Sequence, residues 1–155
     1  MRPFDERFVE EAVALCRALP TDSAPLWGRM TVPQMFAHMT TGVRYSLGKE
    51  EVSPIEGGLF ARLIAAPLVL RGIVKIPRDS QAPAMYDKAA PQATVDELEA
   101  ELRTFLNFYD TPGFFPPPHP YFGNIGKHGW ARLHIVHLDH HLRQFGAAPA
   151  TFVNG

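Results

Sequence analysis

Histidines are concentrated towards the carboxyl end of the chain, at His134, His137, His140 and His141. The surrounding stretch, from Trp130 to Phe145, has apolar residues at the spacing of a helix. A helix turns by about 100° per residue, so side chains four residues apart lie nearly one above the other. His137 and His141 have this separation, which lets two imidazole rings reach one metal ion. The spacing indicates a metal site, with structural or solvent-exposed histidines as an open alternative.

A metal site needs at least one further ligand, and the second predicted helix offers one. His38 lies there at the edge of the face that carries the apolar side chains. If the two helices pack side by side, His38, His137 and His141 converge as three neutral imidazoles. Such a set leaves one or more coordination positions open for water or substrate. An ion would also be a partner for the buried rings, since a buried polar group without one costs about 1–3 kcal/mol.

The remaining histidines receive separate interpretations. His134 points in nearly the same direction as His141, so it is either a further ligand or forms a hydrogen bond to a ligand or to the substrate. His140 lies about 100° away from His141 around the helix and is predicted at the surface or beside the ligands. His119, in a proline-rich connection, is predicted to be structural, with a loop position over the site as the alternative. His128 is predicted at the surface in the first turn of the last helix.

Polar and basic residues elsewhere are candidates for a substrate pocket. Tyr45 and Gln144 lie on the two histidine-bearing helices at positions from which they could face the site. Basic residues without any acid occur between positions 62 and 78, and the arginines among them are Arg62, Arg71 and Arg78. This basic stretch is either a solvated helix edge or an anion-attracting patch near the mouth of the site.

Four long amphipathic helices are predicted to position these residues. The first spans about 4–19, the second begins at Thr31 and ends near Gly48, and the third begins at Thr94. The last begins near 126–129, and Gly146 is the glycine that follows its end. The second and third begin with a capping-box pattern, a threonine followed three residues later by glutamine or glutamate. The last helix has no comparable cap, so its first turn is expected to fray. Its polar side chains Arg132, Asp139 and Arg143 are predicted to lie opposite the apolar arc.

The fold class that follows is all-α, with one domain over residues 1–155. Little of the chain alternates as a strand would, and the helices suit a four-helix bundle. The middle of the chain, 49–92, is a long and partly helical connection, either one helix kinked at Pro67 or two short ones, and 76–84 is predicted to be a loop that could act as a lid. The proline-rich connection at 112–120 cannot be helical, and its aromatic residues predict that it packs on the domain.

Composition limits the classes of function. The 155 residues are 46% hydrophobic and 20% charged, which is typical of a globular domain. Lysine and arginine number 15 against 16 acids, so no positive field favours nucleic acid or an anionic membrane. The first residues are not expected to form a signal peptide, and the apolar run at 59–70 is too short to span a bilayer. Cys16 has no other cysteine to pair with, which favours a buried core thiol and a cytoplasmic location.

Two parts of the chain resemble the DinB-like metalloenzyme superfamily. The segment from His137 to Gly146, with the pattern H-x-x-H-H before a basic and glutamine-containing run, resembles its C-terminal helix. The segment from Thr31 to His38 is similar to its second helix, which supplies a lone histidine ligand. Segments 119–123 and 130–134 resemble a branch described only as a domain of unknown function. The resemblance implies a four-helix bundle of DinB-like type, a divalent ion held by His38, His137 and His141, and a homodimer.

The resemblance also implies a class of reaction. Zinc and nickel are the ions expected in such folds, and some relatives are transferases or isomerases in which the ion activates a low-molecular-weight thiol. The leading hypothesis is therefore a metal-dependent enzyme of thiol-transferase or hydrolase type, with the arginines of the basic stretch in a pocket for a small anionic substrate. No paired carboxylates, Ser-His-Asp arrangement or glycine-rich phosphate loop accompanies the histidines. The alternative is a non-catalytic, dimeric helical stress or interaction module whose histidines are structural.

Overall fold

The computed structural model describes residues 2–51, 61–73, 76 and 91–147. These described residues form five α-helices and one π-helical turn, and they contain no strand. The helices are α1 (Glu6–Arg17), α2 (Val32–Ser46), α3 (Ala66–Leu70), α4 (Val95–Tyr109) and α5 (Gly126–Gln144). The all-α prediction is therefore confirmed for the described part of the chain. Within it, none of the helices combines the length and apolarity that crossing a membrane requires.

Both predicted capping boxes are present and set the starts of α2 and α4. The Thr31 hydroxyl accepts a hydrogen bond from the Gln34 backbone N–H, and the Gln34 side chain accepts one from the Thr31 N–H. Thr94 and Glu97 form the same reciprocal pair. These bonds satisfy N–H groups that have no partner within the helix. The first helix is shorter than predicted, since Asp5 caps it through the Phe8 N–H and it ends at Arg17.

Replacing Thr94 by alanine is expected to lower the free energy of unfolding by about 1 kcal/mol, because α4 loses its N-terminal cap. Chemical denaturation monitored by circular dichroism measures the change. Thr104→Ala, in the same helix, is the matched control, since its hydroxyl only donates to the Ala100 carbonyl one turn earlier and alanine favours a helix interior. Equal destabilisation by the two substitutions would contradict the capping role.

The four long helices share one apolar core. Both α1 and α2 pack against α4 and against α5, so the chain does not simply place each long helix beside the next. The core is made of apolar side chains from all four, including Phe8, Met35, Leu98, Phe105 and Leu142, which are fully buried. Cys16 belongs to the same core, as predicted. The contacts agree with a helical domain that has a crossover, while the four-helix bundle of DinB-like type stays a prediction.

The last helix, α5, is more completely surrounded than its sequence predicts. It packs against α1, α2 and α3. Both Arg132 and Asp139 are predicted opposite the apolar arc; Arg132 is exposed, but Asp139 is only 7% exposed. Its carboxylate accepts two hydrogen bonds from the half-buried Arg143 guanidinium, at 2.8 and 3.1 Å. Helical periodicity does not predict this burial of Asp139, because it does not show how many neighbours a helix has.

The described part of the middle connection is one short helical segment. A π-helical turn at Ala61–Ala65 leads directly into α3, whose second residue is Pro67. Because proline lacks an N–H, the regular hydrogen-bond ladder is interrupted at this point. Arg62 and Arg71 are exposed on this segment. Arg78, and the predicted loop at 76–84 apart from residue 76, lie outside the described residues.

The proline-rich connection packs on the domain through its backbone, as its aromatic content predicted. Its carbonyls at Pro117 and Pro118 accept hydrogen bonds from the Trp130 indole and the Tyr45 hydroxyl, both at 2.8 Å. The next helix, α5, begins without a side-chain cap, but Lys127 in its first turn donates to the Tyr109 carbonyl at 2.8 Å. Gly146, at φ +73°, ends α5 in the left-handed conformation, as predicted for a helix-terminating glycine.

Candidate metal centre

The centre lies between α2 and α5, which run antiparallel. His38, in the first half of α2, meets His137 and His141, in the second half of α5. Further along, Ser46 of α2 meets His134 of α5. The order of the contacts is thus reversed along the two helices. This register joins the lone histidine of one helix to the i, i+4 pair of the other.

Three ring nitrogens converge at this point. The Nε2 atoms of His38 and His137 are 2.8 Å apart, and those of His137 and His141 are 3.0 Å apart. One ligand nitrogen from each ring lies within 4.8 Å of the other two. Tetrahedral zinc with bonds of 2.0–2.1 Å to nitrogen separates its ligands by about 3.3 Å, so the two separations that involve His137 need to widen only slightly. The three histidines predicted as ligands therefore lie together and could hold a metal ion.

The rings are held in the neutral form that ligates metals. Burial, together with the charge of nearby His140, lowers the pKa of His38 to about 4. Burial also places the pKa values of His137 and His141 well below the usual histidine value, with the neighbouring imidazoles adding to the effect. Desolvation and like charges both disfavour the protonated ring. No proton has to leave these side chains when an ion binds at neutral pH.

The side chain of Gln144, at the end of α5, contacts one of the three histidines on the ring nitrogen that faces away from the group. The Nδ1 atom of His141 lies 2.8 Å from Oε1 of Gln144. The amide nitrogen of Gln144 donates a hydrogen bond to the Trp27 carbonyl at 2.9 Å. Gln144 is only 6% exposed. It was predicted as a pocket group, and the structure places it behind a ligand instead.

Gly42 is a residue of the centre that the sequence analysis missed. It lies one turn after His38 on α2, directly against the ring of His137. A methyl group at position 42 would meet Cε1 and Nδ1 of that ring at 3.8 and 3.9 Å, in ordinary contact. A longer side chain would occupy the place of the ring. A glycine inside a helical pattern, four residues from a candidate ligand, is the signal that could have identified it.

His134 lies in the core, outside the group of three. Its Nε2 atom is 2.9 Å from the Ser46 hydroxyl, which itself donates to the Val43 carbonyl at 2.7 Å. Because that hydroxyl proton is already used, the His134 ring must donate through Nε2–H. The ring packs edge-on against Phe105 and beside Trp130, and burial lowers its pKa to about 3. This bond joins the ring to Ser46, whereas the group of three consists of His38, His137 and His141.

Tyr45 and His119 organise the proline-rich connection. The Tyr45 hydroxyl donates to Pro118, and the residue lies two helical turns, about 10 Å, from His38. Nδ1 of His119 accepts the backbone N–H groups of Tyr121 and Phe122, both at 3.1 Å. Both side chains therefore stabilise a loop, which agrees with the structural interpretation of His119.

Two further candidates lie at or near the surface. The Arg62 side chain lies against the turn at Gly123. The ring of His140 lies beside those of Trp27 and His141, which fits the prediction that it neighbours the ligands.

Within the described part of the chain, the group of three contains neither a carboxylate nor a thiol. The buried carboxylates are used elsewhere, since Glu101 is paired with Arg44 and Lys49, and Asp139 with Arg143. Cys16 is buried on α1, where desolvation raises the pKa of its thiol to about 12. The ligand set is thus three neutral nitrogens.

Comparison with protein families gives one result. A family profile matches residues 6–148, which include all five helices and the three histidines. The chain belongs to the family described as "Protein of unknown function (DUF1569)". This agrees with the predicted branch of unknown function, while membership of DUF1569 in the DinB-like superfamily stays a prediction. Neither a curated protein nor a solved structure gives a significant match to the chain.

Proposed function

We propose that the protein is a metal-dependent enzyme of thiol-transferase or hydrolase type, with a divalent ion held by His38, His137 and His141. The observation that carries the proposal is the convergence of three neutral imidazole nitrogens from two helices. Zinc and nickel are the ions to test first, because imidazole nitrogens suit both. The DinB-like resemblance supports the same ligand set independently of the distances.

The donor set supports a catalytic rather than a purely structural ion. Structural zinc sites are usually closed by four protein ligands, whereas catalytic sites keep a position open. An ion bound by three neutral nitrogens keeps its full positive charge and supplies Lewis acidity towards a water, a thiol or a polarised substrate. His38 and His137 are partly exposed while His141 is buried.

The chain's own residues define what else the site can do. In the described part of the chain no carboxylate lies in the group, so a side-chain general base does not accompany the ligands. The described residues thus supply positioning and a neutral ligand field, and the proton acceptor would come from the bound water, the thiol or the substrate. A small anionic substrate, contacts with the arginines of the basic stretch, a homodimer and a cytoplasmic location complete the proposal.

The first experiment measures metal content and activity in protein purified without a polyhistidine tag. We expect one equivalent of divalent metal per chain, and metal-dependent turnover in a screen of thiols with electrophiles and of hydrolysable esters and amides. His38→Ala should lose both, while His128→Ala, which removes an exposed histidine in the first turn of α5, should retain both. If the purified protein contains no metal, and its melting temperature does not change with zinc, nickel or chelator, the result would instead favour the alternative of a non-catalytic helical module.

A further inference from the structure

We infer that Gln144 is a positioning residue for the metal centre: its amide oxygen holds His141 in the tautomer whose Nε2 lone pair faces the ion. The inference rests on the proposed metal-binding function and adds a residue to it. Its basis is the chain of two hydrogen bonds that joins the loop at residues 26–28 to the ring of His141.

The direction of both hydrogen bonds follows from elementary chemistry. The Trp27 carbonyl can only accept, so the group of Gln144 that faces it at 2.9 Å must be the amide nitrogen. The amide oxygen therefore faces Nδ1 of His141 at 2.8 Å, and this oxygen also can only accept. Nδ1 must carry the proton. A neutral imidazole has one N–H, so Nε2 presents its lone pair towards His137, 3.0 Å away.

The loop is built to hold this amide in place. The Leu26 N–H donates to the Gln144 backbone carbonyl at 2.7 Å, so the loop forms hydrogen bonds with both the main chain and the side chain of Gln144. Gly28 adopts φ +79°, and a Cβ at this position would lie 2.9 Å from the Gln144 amide nitrogen. Glycine is thus needed both for the conformation and for the close approach. His141 and Gln144 are each 6% exposed, which removes water as a competing partner.

The choice of an amide has a chemical consequence. Histidines that ligate metals usually donate their second N–H to a carboxylate, a backbone carbonyl or water, and a carboxylate makes the ligand more basic. An amide oxygen orients the ring without adding negative charge. The Gln144 contact therefore fixes His141 and leaves the charge of the ion undiminished, which suits the Lewis acidity proposed above.

The first test separates the tautomer from metal binding by measuring both. Nitrogen-15 NMR of the histidine rings in metal-free protein reports which nitrogen of His141 carries the proton. Gln144→Met, which removes both hydrogen bonds at nearly constant volume, should give a mixture of tautomers and about a 10–100-fold loss of zinc affinity. Gln144→Glu keeps an accepting oxygen and should retain the Nδ1–H form. Gln92→Ala, at an exposed glutamine, should match the wild type in both measurements.

A second pair of variants tests the loop without touching Gln144. Gly28→Ala and Gly113→Ala impose the same backbone strain, since their φ angles are +79° and +83°. Only the methyl group at position 28 meets the amide, because a Cβ at Gly113 has nothing within 4 Å among the described residues. Gly28→Ala should therefore shift the His141 tautomer and weaken zinc binding, and Gly113→Ala should change neither.

An unchanged His141 tautomer in Gln144→Met would overturn the inference, and so would equal zinc affinity in Gly28→Ala and Gly113→Ala. A wild-type protein with the Nδ1–H tautomer but no zinc binding gives a different result. It would refute the proposed metal function while supporting the hydrogen bond by which Gln144 fixes the tautomer of His141. Failure of the metal function and failure of this inference are therefore distinguishable.

Discussion

His137→Ala is expected to abolish stoichiometric binding of a divalent ion. Nε2 of His137 lies 2.8 Å from that of His38 and 3.0 Å from that of His141, so this ring provides the central nitrogen of the group. Without it, the remaining two imidazoles belong to different helices. The loss of affinity should exceed the roughly 10–100-fold that removal of a supporting residue costs. The order of affinities should be wild type, then Gln144→Met, then His137→Ala.

The same substitution should remove the stabilisation that metal provides. An ion present at about 100 times its dissociation constant adds about 2.7 kcal/mol to the free energy of unfolding. For a chain of this size that corresponds to roughly 5–10 °C in melting temperature. Calorimetry with zinc and with chelator measures the shift in wild type, in His137→Ala and in the control His128→Ala. One bound ion per chain in His137→Ala would refute the assignment of the ligands.

Acid is expected to unfold the metal-free protein between about pH 6.5 and pH 4. The pKa of buried His134 is lowered to about 3 and that of His119 to about 4, in both cases mainly by burial. Unfolding returns these pKa values to about 6.5. In this range the unfolded chain binds more protons than the folded chain. The contribution of these histidines to the free energy of unfolding is therefore fully present above pH 6.5 and is lost as the pH decreases. Each group lowers the free energy of unfolding by about 1.4 kcal/mol per pH unit, and the total free energy of unfolding of a typical domain is only about 5–15 kcal/mol.

The contribution of His134 can be isolated by substitution. His134→Gln keeps a donor for Ser46 but cannot titrate, so the dependence of the unfolding free energy on pH should become shallower by about 1.4 kcal/mol per unit. Ser46→Ala removes the hydrogen bond and leaves the titrating ring, so it should lower stability while retaining the steep dependence. Urea denaturation at a series of pH values, in the presence of chelator, measures both. A slope unchanged in His134→Gln would contradict the buried, neutral state of the ring.

Local patterns predicted the four long helices and paired two of the three candidate ligands. The capping boxes at Thr31 and Thr94 act within four residues, so they could be read without knowing the tertiary structure. The pairing of His137 with His141 likewise depends only on the repeat of a helix. The resemblance, rather than the spacing, strengthened the inclusion of His38.

Tertiary packing decided which side chains meet. The antiparallel register of α2 and α5 brings His38 into the group of three and places His134 beside Ser46. Both histidines were candidate ligands in the sequence. The burial of Asp139 and the hydrogen bond between Gln144 and the 26–28 loop depend on segments distant along the chain. The helical repeat specifies the direction in which a side chain leaves the axis of its own helix. Shared coordination of one ion by two helices depends also on the distance and register between them. The sequence by itself therefore determined which imidazoles could ligate, and only the packing of α2 on α5 decided which of them converge.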